Sequence, residues 1–424
     1  MLHQIEVSKA MAKVIGLCRP QVVCADPITS QTPIAGALDE LIRDGVVENC
    51  KFVHVESEFA TLSVAISASA AGARAYAATA SQGLLTMAEA VYNAADLGLP
   101  IVLTLGNHAT GAPINLANDH SDAMAMRESG WIQMFAESHQ QAADLHIVAF
   151  RLAEELCVPT MVCVDSFMLT PTVELVDLPE QSQVDAYLPP HQPMQALDPA
   201  NSISMAARVG PDAFTEVRYL QYYKQQHALG LIERLSTEFA GLFGRESGGL
   251  LRTYQTDDAA LVVVAMGSIN TTIKDVIDEM RGEGVSIGLV TLTTFRPFPA
   301  EALSAALERA SNVLVIDRSL DAGMGGPLAS NVAMALCELP RGPAIHSAIV
   351  GLGGRAVPKE SLHGLFRQAA TRPWRGVHFL DLNERVIARE IHRRGKARRA
   401  GAVAESILRQ LEIERAARLS TTLR

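Results

Sequence analysis

The chain has 424 residues, 48% of them apolar and 19% charged, enough for two or three domains with large cores and unlike a disordered chain. Its formal charge of −10 at pH 7 argues against a nucleic-acid-binding protein. No apolar run approaches the roughly 18 residues of a membrane span, and the N-terminus lacks the basic-then-apolar pattern of a secretory signal, so a cytoplasmic location is expected.

In chain order, strands are predicted at 21–25, 51–56, 74–78, 100–105 and 158–164, with helices at about 34–43, 60–72, 83–97 and 139–155 between them. Buried β-branched runs alternating with helices indicate an α/β fold whose parallel sheet is covered on both faces. The helix at 60–72 is mostly Ala, Ser and Gly, so its backbone is expected to approach a neighbour closely. Residues 1–175 form this first domain. From 176 to 213 Pro179, Pro189, Pro190, Pro193, Pro199 and Pro211 forbid long regular structure. The segment 176–250 is therefore expected to be a wrapping connection followed by a helix at 215–243.

A second α/β domain is expected over 255–380, with strands at 260–266, 285–291, 312–317 and 344–350 and helices at 269–282, 300–310, 327–337 and 359–370. Residues 385–424 hold eleven Lys and Arg against four Asp and Glu. This basic helical tail places Val403, Ile407, Leu408 and Leu411 on one helical face, a pattern expected to dock on another subunit. The six cysteines (Cys18, Cys24, Cys50, Cys157, Cys163, Cys337) form no C-x-x-C pair. They read as reduced, mostly buried thiols, and any iron–sulfur cluster is expected on another chain.

Polar groups concentrate at strand C-termini between 54 and 139. Glu56 and Glu58 lie between a strand and the small-residue helix, and Thr79, Ser81, Gln82 and Gly83 lie at a strand-to-helix turn. Asn107, His108, Asn115, Asn118, Asp119, His120 and Asp122 follow the strand at 100–105. Ligands of open parallel sheets bind at that edge. Glu58 has a plainer reading, as a carboxylate favoured by a helix N-terminus. The 118–122 cluster reads either as a metal site or as a loop of Asx turns bonding its own backbone, with the second preferred. DAGMGG (321–326) and GLGGR (351–355) are not full dinucleotide fingerprints and read as tight turns at strand ends.

The segments ADPITSQTP (25–33), VESE (55–58), TASQGL (79–84), PINLANDHSDAMAMRESGWIQ (113–133), SFMLTPT (166–172), FRPFPAEAL (295–303) and GLGGR (351–355) jointly resemble the α chain of the 2-oxoacid:ferredoxin oxidoreductases. The likeness runs from about 15 to about 380. It implies a pyrimidine-type thiamine-diphosphate-binding sheet plus a smaller C-terminal domain like that of transketolase. It also implies a multisubunit enzyme that decarboxylates a 2-oxoacid oxidatively to an acyl-coenzyme A. A β subunit would hold the diphosphate and Mg²⁺, and iron–sulfur clusters on γ/δ-type subunits would take the electrons.

By the same resemblance Glu58 matches the glutamate that bonds the cofactor's pyrimidine nitrogen, and Thr29 a threonine that bonds substrate. Thr79, Ser81, Gln82 and Gly83 match a turn near the cofactor. One position departs: family members acting on pyruvate carry an arginine that pairs with the substrate carboxylate where this chain has His108. Losing that bidentate fork while freeing volume suggests a bulky 2-oxoacid such as phenylglyoxylate, the alternatives being pyruvate or a branched-chain oxoacid. Two other classes stand beside this reading, a non-catalytic assembly subunit and a nucleotide-binding dehydrogenase built on the second domain.

Overall fold

The computed structural model describes residues 2–25, 32–165, 170–201, 204–339, 342–372, 374–394 and 403–422. The first part carries β1 (Leu2–Glu6), β2 (Val22–Ala25), β3 (Lys51–His54), β4 (Ala75–Ala80), β5 (Ile101–Asn107), β6 (Ile132–Phe135), β7 (Thr160–Asp165) and β8 (Val173–Asp177). The second carries β9 (Leu251–Tyr254), β10 (Leu261–Ala265), β11 (Ile287–Leu292), β12 (Thr294–Arg296), β13 (Asn312–Asp317), β14 (Ala344–Ile349) and β15 (Val377–Phe379).

Among the described residues the first sheet has the order β12-β6-β7-β5-β4-β2-β3. Its strands run parallel except β12, which pairs antiparallel with β6. The second sheet has the order β15-β14-β13-β10-β11-β9, parallel apart from β9. β1 and β8 form a separate antiparallel ribbon. This is an α/β chain with two doubly wound sheets. β4, β5 and β7 are buried along their whole length, as strands with helices on both faces must be.

The helices start where local chemistry allows. Ser57 accepts the Ala60 N–H and opens the helix Glu58–Ala70, and Ser138 does the same through Gln141 N–H for His139–Leu156; both satisfy an otherwise orphaned donor. The stretch expected as one helix over 83–97 is two, Ser81–Thr86 and Ala88–Asp96. The helix Val7–Leu17 and the strands β1, β6, β8, β9, β12 and β15 were not expected. β6 and β12 span only four and three residues, too short to show a period.

The proline-rich stretch lies over the first sheet's helices: Leu197 N–H bonds Ala70 O at 2.8 Å, and Gln195 Nε2 bonds Leu97 O at 2.7 Å. A 33-residue helix, Pro211–Phe243, follows. Its second half buries Leu231, Ile232, Leu235, Phe239 and Phe243 in the core that includes the helix His139–Leu156. The tail is helical. Helices Glu384–Arg394 and Val403–Thr422 meet through polar groups, Ser406 Oγ and Gln410 Nε2 donating to the buried Glu390 Oε1 at 2.7 and 2.9 Å. Val403, Leu408 and Leu411, three of the four residues of the expected apolar stripe, remain exposed. No described helix is long and apolar enough to cross a membrane. The six cysteines are unpaired, four of them buried, and burial pushes the thiols of Cys18 and Cys24 up to about 12.

Candidate active site

The order of the first sheet reverses between β2 and β4, so a crevice opens at their C-terminal ends. Three of the expected residues meet on the β4 side of it. Glu58, at the first turn of its helix, lies against the Thr79–Gly83 turn. A β-carbon on Gly83 would stand 2.5 Å from Thr79 Oγ1, 2.9 Å from Glu58 Cγ and 3.2 Å from Glu58 Oε1. Only glycine fits there without a shift. Thr79 is fully buried and its hydroxyl has no hydrogen-bond partner. A buried hydroxyl left unmatched is costly. Glu56 is exposed and takes no part. Thr29 lies outside the described residues.

Ser81 follows β4 with a left-handed backbone, φ 43°, a strained conformation for serine that is found most often at functional turns. Its Oγ lies 2.6 Å from Ala109 O and 2.6 Å from Gln82 Oε1, tying the turn to the loop after β5. A deeper link runs through Asp122. Its Oδ2 accepts the backbone N–H groups of Ser81 and His108, both at 3.1 Å, and its Oδ1 accepts Asn107 Nδ2 at 2.7 Å and Ala123 N–H at 2.8 Å. One buried carboxyl therefore fixes the ends of β4 and β5 relative to each other. Burial pushes it up to about 7 in spite of those four donors.

His108 is 4% exposed. Burial lowers its pKa, outweighing the raising effects of backbone contacts and Asp119, which favours the uncharged ring. It offers hydrogen bonding and no charge where arginine would offer both.

The 115–122 segment is a loop of Asx turns: Asn115 Oδ1 accepts Ala117 N–H at 2.7 Å, and Asp119 Oδ1 accepts the Ser121 N–H and hydroxyl at 2.9 and 2.6 Å. No group of His, Cys, Asp or Glu among the described residues is arranged to hold a metal. The loop inserts at the reversal point of the second sheet, between β10 and β13. There Arg318 Nη1 bonds Asp165 Oδ2 at 2.9 Å, Ser268 donates to the same oxygen through its N–H at 2.8 Å and through its hydroxyl, and His120 Nε2 lies 3.0 Å from Asp165 Oδ1. Burial alone would raise the Asp165 carboxyl, yet Arg318, His120 and Ser268 hold it well below the usual range.

Gly354 N–H bonds Asn118 O at 2.9 Å, and a β-carbon on Gly354 would stand 2.3 Å from that of Ala117. The glycines of 351–355 thus serve close packing of the chain on itself. The crevice at that reversal point is occupied by the chain's own loop. Asp165, Ser268 and Arg318 had not been expected in the assembly around the site. A charged residue directly after an apolar strand, as in VCVD (162–165) and VIDR (315–318), was the available signal.

Residues 13–235 match the family described as pyruvate flavodoxin/ferredoxin oxidoreductase, thiamine diP-bdg, and residues 259–362 match pyruvate:ferredoxin oxidoreductase core domain II. The chain is 41% identical over 390 residues to pyruvate synthase subunit PorA of Methanosarcina barkeri, covering 90% of this chain and 97% of that protein. It is 36% identical over 338 residues to ketoisovalerate oxidoreductase subunit VorA of Pyrococcus horikoshii, covering 80% and 86%. Among solved structures, a 2-oxoglutarate:ferredoxin oxidoreductase from Magnetococcus marinus aligns with TM-score 0.67 at 14% identity, covering 88% of this chain and 65% of that one. A split-gene transketolase aligns with TM-score 0.53 at 15% identity, covering 88% of this chain and 100% of that one. The two structural likenesses speak to the fold.

Proposed function

The chain belongs to the pyruvate flavodoxin/ferredoxin oxidoreductase family, and from that premise we propose that it holds the aminopyrimidine end of thiamine diphosphate in a multisubunit, CoA-acylating 2-oxoacid oxidoreductase. The carrying observation is the convergence of Glu58, Gly83 and the unpartnered Thr79 hydroxyl beside the reversal point of the first sheet. The three fit a flat, nitrogen-bearing ring: a carboxyl for a ring nitrogen, a hydroxyl for a second polar atom, and a glycine whose missing side chain lets both pack against the turn. When bound, thiamine diphosphate supplies the electron sink for cleaving the bond between carboxyl and carbonyl carbons.

The chain's residues then have these roles. Glu58 holds and returns a proton at a pyrimidine nitrogen, working as a general acid–base from a position set by the Ser57 cap. Thr79 orients the ring. Ser81 and Gln82 shape the turn, and Gly83 gives clearance. His108 donates one hydrogen bond to the substrate from a buried, uncharged ring, and Thr29 is assigned to substrate by its motif alone.

The diphosphate and Mg²⁺ are assigned to a β-type partner, and the iron–sulfur clusters to γ/δ-type partners. Phe59, Leu85, Ile114 and Leu116 lie on the segments that carry Glu58, Gly83 and His108, and all four are exposed. An apolar rim around a catalytic edge suits a covering subunit.

For the substrate, the relatives favour pyruvate or a branched-chain 2-oxoacid. A second reading, phenylglyoxylate, is favoured by the neutral His108, since a larger apolar body would recover the binding that a lost guanidinium gives up. Both levels are tested on the assembled complex with thiamine diphosphate, Mg²⁺, CoA and a viologen dye. Glu58→Ala should remove turnover, and activity retained within about tenfold would sink the catalytic assignment. A panel of pyruvate, 2-oxoisovalerate, 2-oxoglutarate and phenylglyoxylate decides the substrate.

A further inference from the structure

The first sheet has a cavity at the edge opposite to Glu58. It has a volume of about 450 Å³, and its lining includes Arg19, Pro20, Val47, Arg74, Pro190 and His191. Gln21 and Arg74, which also line it, stand directly before β2 and β4, so it opens at the N-terminal ends of the strands.

Two of its donors are buried without an acceptor. Arg19 bonds Leu188 O at 3.1 Å and Asp185 Oδ1 at 3.0 Å through Nη2, yet its buried Nε has no partner. The His191 side chain is 7% exposed; Nδ1 lies 3.2 Å from Glu154 Oε1, and Nε2 has no partner. Glu154 is in turn clamped by Arg74 through Nε at 2.5 Å and Nη2 at 2.9 Å, which places a fixed carboxylate beside the His191 ring.

Arg19 also follows the helix Val7–Leu17 with φ 56°, a position that glycine takes with least strain. The strain places a guanidinium at the cavity. The nearby acids do not answer these donors: Asp185 is bonded by Arg19 and by Gln181 Nε2 at 2.7 Å, and Glu48 is exposed.

We propose that this cavity binds a small organic oxyanion, a carboxylate or a phosphate monoester, with its oxygens on Arg19 Nε and His191 Nε2 and its carbon body against Pro20, Val47 and Pro190. The His191 ring then stands between Glu154, 3.2 Å from its Nδ1, and the anion at its Nε2. The ligand supplies the acceptors that these two donors lack, and the bond from the Arg19 guanidinium is charge-assisted. The site is separate from the chemistry around Glu58 and does not depend on its assignment.

The test is isothermal titration of the assembled complex with two sets of probes, pyruvate and malonate as carboxylates, glycerol 3-phosphate and inorganic phosphate as phosphates. Each is repeated on Arg19→Gly, which relieves the backbone strain and so keeps the fold, on His191→Gln, and on Glu58→Gln as a control for the other edge. One set should bind saturably at about millimolar or tighter, with Arg19→Gly and His191→Gln each weakening it about tenfold or more and Glu58→Gln leaving it unchanged. The set that binds identifies the class. Absence of saturable binding by either set, binding indifferent to both variants, or binding lost only in Glu58→Gln overturns the proposal.

Discussion

Glu58 and Gly83 are packed so closely that a β-carbon on Gly83 would lie 2.9 Å from Glu58 Cγ. Gly83→Ala must therefore move the carboxyl or the turn beneath it. Overpacking of this kind costs about 1–3 kcal/mol, while misplacing a reacting group by about an ångström costs roughly a hundredfold in rate. Turnover of the complex should fall far more than the stability of the chain. Denaturation curves set beside turnover check this, and unchanged turnover would show that Gly83 does not set the position of Glu58.

Thr79→Val separates a structural hydroxyl from a ligand-binding one. The Thr79 Oγ1 atom is buried without a partner, so replacing it with a methyl should leave the cofactor-free chain as stable or more stable, by up to about 1 kcal/mol. Thiamine diphosphate affinity of the complex should drop about tenfold over the same change. A loss of chain stability with unaltered cofactor affinity would reverse the assignment.

Asp122→Asn should lower both stability and turnover, because one amide oxygen cannot accept from Ser81, His108, Asn107 and Ala123 together; the expected cost is about 1–3 kcal/mol. Its pH dependence has a definite sign. Burial raises the Asp122 carboxyl from 3.8 to about 7, so the folded chain binds more protons than the unfolded one between those values. Wild-type stability from this group therefore declines as pH rises from about 4 to about 7, and asparagine removes that decline. The deficit of the variant should shrink between pH 5 and pH 8 in urea titrations; a growing deficit would contradict it.

Arg318→Ala strands the buried Asp165 charge and should cost about 3–5 kcal/mol. The double variant Asp165→Asn, Arg318→Met should recover most of that loss. Because the folded Asp165 carboxyl is held below its usual range, its share of stability is present above the unfolded pKa near 4 and is lost as pH falls through the depressed value. Acid unfolding monitored by circular dichroism should accordingly come at higher pH in Arg318→Ala.

The parallel framework was legible because its strands are buried on both faces and read as apolar runs. The strand expected at 312–317 and the helix expected at 269–282 coincide with β13 and the helix Ile269–Gly282. Short or half-exposed elements were not legible. β1 and β8 are exposed over most of their length and gain their order from pairing with each other, which periodicity does not record. In the tail, the contact between the two helices is made by Ser406 and Gln410 on Glu390, polar pairs that apolar spacing does not record. At the site, Glu58, Thr79 and Gly83 were named from motifs, but the roles of Asp122 and Asp165 emerge only from contacts 41 and 153 residues away, with Ser81 and Arg318.

β12 gives the chain a mechanical property. A strand from the second sheet's half of the sequence completes the edge of the first, so the two halves are stitched and not merely adjoined. Swinging one half away would strip Thr294 and Arg296 from Met134 and Gln133 and expose the edge of β6. Any opening that admits substrate must then come from loops or from neighbouring subunits, with this chain moving as one piece. A backbone cut between the halves, near 255–258, should leave two fragments that stay together until denaturant separates them.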